Sequence, residues 1–450
     1  MFIQALLLIN FQFDIEGYLR TRGKLFSNIS LVEIQGLDPL FTYLDSRAMI
    51  KTSLGTEDLK LMGRFDLLDN VVWGYNVRGA SDSPLAETIS FNDIVGQDVP
   101  PIRIRRLYIQ GLTKIGLFMI GFVPSHWGLG MSVNSGDGIY DDFGDTFARI
   151  LFATKPLGQD SNLITAVFIN KSVEGAVVQE GSSDILDADT DDFGVAILYD
   201  TKQIRGGAYT TLRTQYASDS RAFFSSLYSE VNIGNFYFAE EVAGLFGSFT
   251  PYKDQTLDVN SIGAVARLGY KIDSIFPVFE FGYASPPGDD EFDFDINRRG
   301  RQFRGFTFDA NYRPALILFQ FVGGKKLPQP WQKGYTNVLE SRRVWSATYT
   351  KLSVNIKTTS VVVIPSFIFA WDSKSGKSLG FEPDFEVRSY LLKEKREIKG
   401  DEEINNSLFL SLRVGYLFAT EKLREIERPG ERGVRKSNPF AVVGLIAYEF

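Results

Sequence analysis

Apolar and polar residues alternate strictly along much of this chain. Phe11, Phe13, Ile15, Gly17, Leu19 and Thr21 share one face of a two-residue repeat, and Asp14, Glu16, Tyr18, Arg20 and Arg22 share the other. Leu59, Leu61, Gly63, Phe65 and Leu67 oppose Lys60, Arg64 and Asp66. Phe381, Phe385, Val387 and Leu391 oppose Glu382, Asp384, Glu386 and Arg388, and Leu408, Leu410, Leu412, Val414, Tyr416 and Phe418 oppose Ser411, Arg413 and Gly415. Successive side chains of a strand point to opposite faces, so each run predicts a strand with one apolar and one charged face. A half-buried soluble sheet gives similar alternation. Its repetition over the whole chain, without one convincing amphipathic helix, predicts a closed sheet.

Connector lengths carry the same expectation. Short turns are predicted near 55–58, 112–115, 156–161, 202–204, 233–234, 272–274 and 358–360. Long polar connections fall near 26–44, 72–101, 124–145, 172–191, 286–303, 323–341 and 420–436. Short turns alternating with long loops are the pattern of a membrane barrel. The order is strict if 304–322 forms two short strands split at Pro314, which cannot sit within a central ladder. The count is then about twenty, and merging doubtful strands gives roughly sixteen or eighteen. The predicted fold class is all-β: a transmembrane antiparallel up-and-down β-barrel with an even strand number near eighteen.

The final run adds location. Phe440, Val442, Gly444, Ile446, Tyr448 and Phe450 form one apolar face that ends on an aromatic residue. Such an ending resembles the terminal signal of bacterial outer-membrane barrels, which makes Phe440, Tyr448 and Phe450 candidates for an assembly signal. This strand is expected to pair with the one beginning near Phe11 and leave no sheet edge. Residues 1–10 read as a signal-peptide remnant or periplasmic lead, and 11–450 as a single barrel with long external loops.

Composition narrows the picture. The chain has 450 residues, 14% of them aromatic, with 38 Phe and 19 Tyr, yet no run of eighteen apolar residues that would suit a spanning helix. It has no Cys, which removes disulfides, thiolate zinc sites and Cys nucleophiles. A net charge of −7 with no basic stripe argues against nucleic acid as a partner. Strand patterning begins by residue 11, leaving no room for an N-terminal plug domain.

Three constellations could carry chemistry. The only histidine, His126, lies in Pro124-Ser-His-Trp-Gly-Leu-Gly130, upstream of Asp137, Asp141, Asp142 and Asp145. A hydrolase would pair Ser125 or a water with His126 and a carboxylate. No nucleophile elbow is present, however, and neighbouring Ser and His side chains rarely meet. The plainer alternatives place Trp127 at the membrane interface, or fold the loop into the lumen as a constriction built on Ser125, His126, Trp127, Asp141, Asp142 and Asp145. Acidic runs lie at Asp184, Asp187, Asp189, Asp191 and Asp192, and at Asp289, Asp290, Glu291, Asp293 and Asp295. The first lacks the glycine and distant glutamate of a calcium loop. Both read as solvated external loops, with divalent bridging to lipopolysaccharide as the alternative, and no metal or other cofactor is expected. The third set faces the lumen: Arg20, Arg22, Arg64, Arg103, Arg105, Arg205, Arg213 and Arg413, with Asp14, Glu16, Asp66, Glu382, Asp384 and Glu386. Rings of charge set selectivity in a pore, while the same residues as mutual ion pairs would fill it.

Gly17-Tyr-Leu-Arg-Thr-Arg22, Phe65-Asp-Leu-Leu-Asp-Asn70, Val123-Pro-Ser-His-Trp-Gly-Leu-Gly130 and Phe143-Gly-Asp-Thr146 occur in that order. Together they resemble a family of uncharacterised predicted outer-membrane proteins, mostly of delta-proteobacterial lineages. The resemblance covers the first 160 residues or so and implies location and fold, with no catalytic residues to transfer.

The expected function is a porin-like channel of the bacterial outer membrane for passive diffusion of small solutes, non-enzymatic, with a charged lumen. Expected partners are outer-membrane lipid, lipopolysaccharide, the barrel-assembly machinery and the solutes themselves. The alternatives are a structural or surface-interaction barrel with a closed lumen and, third, a barrel-embedded hydrolase.

Overall fold

The computed structural model describes residues 12–29, 31, 40–73, 102–172, 190–215, 220–252, 255–288, 302–326, 342–398, 401–427 and 436–450. The lead at 1–11, both acidic runs except Asp191 and Asp192, and the connections 74–101 and 327–341 lie outside the described residues.

The alternating runs form a closed antiparallel barrel of 18 strands. In chain order these are β1 (Gln12–Ser27), β2 (Leu40–Gly55), β3 (Leu59–Trp73), β4 (Ile102–Thr113), β5 (Gly116–Pro124) and β6 (Thr146–Thr154). They continue with β7 (Leu163–Ser172), β8 (Thr190–Asp200), β9 (Ile204–Gln215), β10 (Ser220–Ile233), β11 (Phe236–Tyr252) and β12 (Gln255–Tyr270). The circuit is completed by β13 (Ile275–Ala284), β14 (Ala347–Lys357), β15 (Val361–Asp372), β16 (Ser378–Ile398), β17 (Asp401–Tyr416) and β18 (Phe440–Glu449). Each strand pairs with the next, and β18 pairs with β1 from Tyr18↔Glu449 to Ser27↔Phe440. Gly17 and Phe450 exchange both backbone hydrogen bonds at that seam, at 2.8 and 3.0 Å. Closure removes the edges that an open sheet would expose.

The period-2 pattern decides which face meets which medium. On β1, Leu19 is 48% exposed on the outside, whereas its neighbour Arg20 is fully buried inside. A one-residue slip would exchange the faces, so the register is strongly specified. Tight turns close one end of the barrel. The β10–β11 turn needs Gly234, whose φ of +60° lies in the left-handed region. At the other end lie longer connections, and two of them enter the barrel. Among the described residues no helix is long and apolar enough to cross a membrane.

Residues 304–322 do not form two strands, which is why eighteen strands and not twenty close the barrel. The segment folds inward instead. Ala315, Leu316, Ile317, Leu318 and Phe319 are all buried in succession, a pattern with no period of two. Their apolar character suits enclosure on every side, not a wall with one face to lipid. With Phe306, Phe308, Phe321, Val322 and Leu423 of the short helix α1 (Glu421–Glu427), they pack against the inner faces of β11–β18. A compact apolar core thus occupies that sector of the interior. Two connections at the long-loop end that the sequence pattern did not mark are short: β9–β10 and β11–β12 connect through 216–219 and 253–254.

Candidate functional site: the constricted lumen

The first inward connection, 125–145, leaves β5 and crosses the interior. Its turns require Gly136, at φ +68°, where an added Cβ would stand 1.7 Å from the Phe143 carbonyl oxygen. Its first half is held by Glu241 on β11. The Glu241 carboxylate accepts the backbone N–H groups of Leu129, Met131 and Ser132 at 2.8, 3.1 and 3.2 Å. Trp127 packs on Tyr209 and Tyr228, with ring centroids 5.6 and 6.4 Å away. Trp127 is therefore an interior side chain, not a membrane-interface one.

The second half of the loop lies on the wall formed by β1–β4. Asp142 receives Arg20, Arg22 (2.8 Å) and Arg313 (2.8 Å). Asp45 on β2 pairs with Arg22 at 2.7 Å and Lys24 at 2.8 Å. Asp66 on β3 holds Arg47 at 2.6 Å, Arg64 at 3.1 Å and Arg105 at 3.1 Å. Asp137 holds Arg64 at 3.0 Å and Arg106 at 2.9 Å. Cations outnumber carboxylates here, with Lys51 also 3.9 Å from Asp137. Burial alone would raise the Asp142 carboxyl, but Arg22, Arg313, Arg20 and Lys24 together hold it well below the usual carboxylate range.

The second inward segment is pinned in the same way as the first. Glu382 on β16 accepts the N–H groups of Leu316, Ile317 and Leu318 at 2.9, 2.6 and 2.8 Å, and Asp384 accepts Leu316 N–H at 3.0 Å. The two inward pieces meet along a seam. Asn311 accepts the N–H groups of Asp142 and Phe143, both at 3.1 Å, and Asp309 N–H donates to the Met131 carbonyl at 2.6 Å. Burial in this seam, with Asp145 alongside, pushes the Asp309 carboxyl from 3.8 up to about 7. Arg343 opposes that rise, and Asp141 adds to it. A carboxyl raised on folding stabilises the seam below about pH 4, and that contribution is lost as pH rises toward about 7. The seam should therefore be tighter at pH 5 than at pH 8. Hydrogen exchange at Met131 and Asn311 should quicken with pH beyond its intrinsic dependence, and Asp309→Asn should abolish the extra component.

The structure gathers Arg20, Arg22, Arg64, Arg105, Asp66 and Asp142 into one network, with the backbone carbonyl of Asp141 accepting Arg47 at 2.7 Å. Arg103 lies on the same wall, opposite Asp66 in the β3–β4 register. Glu386 and Arg413 surround Tyr140 of the loop: its hydroxyl donates to Glu386 at 2.9 Å, and the Arg413 guanidinium lies 5.3 Å from its ring. Glu382 and Asp384 hold the second inward segment. Arg213 pairs with Asp192 at 2.7 Å on the β8–β9 wall. Glu16, paired with Lys51 at 3.2 Å, and Arg205, paired with Asp200 at 2.9 Å, are exposed near the short-turn rim and lie outside the network. Asp145 accepts Asn134 N–H at 3.0 Å within the loop.

Ser125 and His126 have different partners. Arg149 donates to the Ser125 hydroxyl at 3.3 Å, while exposed His126 offers Nδ1 to Ser135 N–H at 3.5 Å. Among the described residues no group of three or more metal-ligating side chains is present. Lys24, Asp45, Arg47, Arg106, Glu241 and Arg313 are site residues that the sequence pattern did not single out. Lys24 continues the Arg20–Arg22 alternation and was legible there. Arg106 was not, because a bulge at Arg64/Phe65 shifts the parity of β4 and turns both Arg105 and Arg106 inward.

No family model matches the chain, and no curated protein matches it in sequence. Its fold, however, is shared with solved outer-membrane porins. Pseudomonas aeruginosa OpdK, solved with vanillate, is 10% identical, with a TM-score of 0.51 over 97% of this chain and 98% of that one. OpdF of the same organism, solved in complex with glucuronate, is 9% identical, with a TM-score of 0.50 over 97% and 98%. OpdG is 10% identical, with a TM-score of 0.50 over 97% and 99%. At such identities the likeness is one of fold: the chain is an eighteen-strand barrel built like the outer-membrane porins.

Proposed function

We propose that this chain is an outer-membrane channel of porin type that passes small solutes and favours anions. The observation that carries the preference is the direction in which the interior ion pairs face. In the Arg105–Asp66 pair the guanidinium is 35% exposed and the carboxylate fully buried. In Arg213–Asp192 the values are 40% and 3%, and in Arg267–Glu280 they are 30% and 8%. Each pair sets its acid against the wall and offers its cation to the interior water. Asp137, 33% exposed against a buried Arg64, and Glu16, 68% exposed against Lys51 at 29%, run the other way. A net cationic lining in a narrow, low-dielectric passage concentrates anions and retards cations. The barrel fold shared with outer-membrane porins supports the location, and the vanillate and glucuronate held by OpdK and OpdF are both carboxylates.

The apolar core over β11–β18 favours the second reading, a closed barrel acting in surface contact. Liposome swelling separates the two. Proteoliposomes should swell faster in a small sugar acid than in the neutral sugar of equal size, and the Arg105→Ala/Arg213→Ala double variant should narrow the difference. No swelling with either solute would leave the closed barrel as the better account.

A further inference from the structure

A cavity of about 620 Å³ opens at the short-turn end of the barrel, among the β10–β11, β12–β13 and β14–β15 turns. Strand parity places it inside the wall. Tyr237 shares the inward face of β11 with Ala239 and Glu241, and Phe276 shares that of β13 with Glu280. Asn355 shares the inward face of β14 with Tyr349 and Lys351.

Farther in, Ala239, Arg267, Glu280 and Lys351 are successive neighbours across β11–β14. The second inward segment rests on this row. Arg267 donates to the Tyr312 hydroxyl at 2.9 Å, and Lys351 donates to the Pro314 carbonyl at 2.7 Å. Ala239 and Glu280 are buried beneath it. The cavity is therefore a cup, roofed by that segment and open toward the short turns. A solute held there stands beside the passage, not in line with it.

The lining has three kinds of side chain. The Phe276 ring lies over Gly269, where an added Cβ would come within 2.8 Å of it, and meets Tyr237 edge-on at 5.9 Å. Three amides stand around these rings. Asn232 donates to Glu230 at 2.8 Å and Asn355 to the Phe276 carbonyl at 3.4 Å, which leaves both side-chain carbonyl oxygens for a ligand. The Asn235 side chain makes no hydrogen bond among the described residues. Lys271 and Lys357 complete the rim, and neither forms an ion pair among the described residues. Asp273 is the one carboxylate of the lining, so the cup is net positive.

We propose that this cup binds a phosphorylated sugar. An aromatic face takes the C–H side of a sugar ring, amides pair with its hydroxyls, and two unpaired ammonium groups match a phosphate dianion. A phosphate on a bare hydrocarbon ring would leave the amides facing carbon, and a neutral sugar would leave the lysines without an anion. The inference rests on the outer-membrane reading only for its side: short turns face the periplasm, so the cup takes solute from that compartment.

Titration calorimetry on the purified, heat-modifiable barrel tests this with glucose 6-phosphate, glucose and cyclohexyl phosphate. Glucose 6-phosphate should bind at one site per chain, about tenfold more tightly than either analogue. Asn355→Leu and the Lys271→Met/Lys357→Met double variant should each weaken it about tenfold, and the lysine variant should leave glucose binding unchanged. The lysine variant alters only exposed side chains, so its folded band should match that of the unmodified chain. Arg105→Ala/Arg213→Ala should leave glucose 6-phosphate binding unchanged, which separates the cup from the constriction. Equal binding of cyclohexyl phosphate, no binding of glucose 6-phosphate, or binding lost in Arg105→Ala/Arg213→Ala would each overturn the cup and leave the channel reading intact. Binding with these preferences in a barrel that gives no current steps would support the cup while overturning the channel.

Discussion

Replacing Glu241 with alanine should raise the single-channel conductance several-fold and make the current noisier. The carboxylate gathers three backbone N–H groups and the Ser132 hydroxyl of the 125–145 loop into one anchor. Hydrogen bonds to a charged group contribute about 1.5–3 kcal/mol each. Losing the set removes enough to release that half of the loop from the β11 wall. Glu241→Gln keeps an acceptor oxygen of the same reach and should give an intermediate current. The barrel itself does not depend on the anchor, because its ladders are continuous through β10–β12. Both variants should therefore reach the membrane in normal amount. Conductance unchanged in Glu241→Ala would show that the loop does not limit the passage.

Asp142→Ala should have the largest effect on stability. Asp142 sits in the second half of the 125–145 loop, with Arg20, Arg22 and Arg313 converging on it. Arg22 retains Asp45, whereas Arg20, fully buried, and Arg313, 12% exposed, each lose their pairing with Asp142. Breaking a buried pair by removing one partner costs about 3–5 kcal/mol, because the remaining charge stays out of water. The temperature at which the folded band of a heat-modifiability gel disappears should fall by several degrees. Adding Arg20→Met to Asp142→Ala should recover part of the loss, since it removes one of the buried charges that Asp142 offset. A double variant less stable than Asp142→Ala alone would contradict this account of the network.

Much of the barrel was legible in the sequence, for a physical reason. A wall with lipid on one side and a charged interior on the other writes its period directly into the residues, as Leu19 beside Arg20 and Phe385 beside Glu386 show. The turns were equally plain where a glycine or polar pair breaks a run, as at Gly234. The inward segment 304–322 was not legible, because a chain enclosed on all sides has no alternation to read. Its apolar run resembled strands until the structure placed it against the inner faces of β11–β18. The site was half visible. Arg20, Arg22, Arg64 and Asp66 follow from parity within their strands. The meeting of Arg20 and Arg22 with Asp142, more than a hundred residues away, and of Arg64 with Asp137 depends on a loop path set by Glu241 and Gly136, which no local pattern encodes.

The central claim is that an anion-favouring passage runs through this barrel, and a planar bilayer tests it most directly. The purified chain, reconstituted under a potassium chloride gradient, should give discrete current steps whose reversal potential has the sign of chloride preference. Arg105→Ala/Arg213→Ala should move that potential toward zero. Correctly folded, heat-modifiable protein that inserts without current steps, or steps that reverse with the sign of potassium preference, would contradict it.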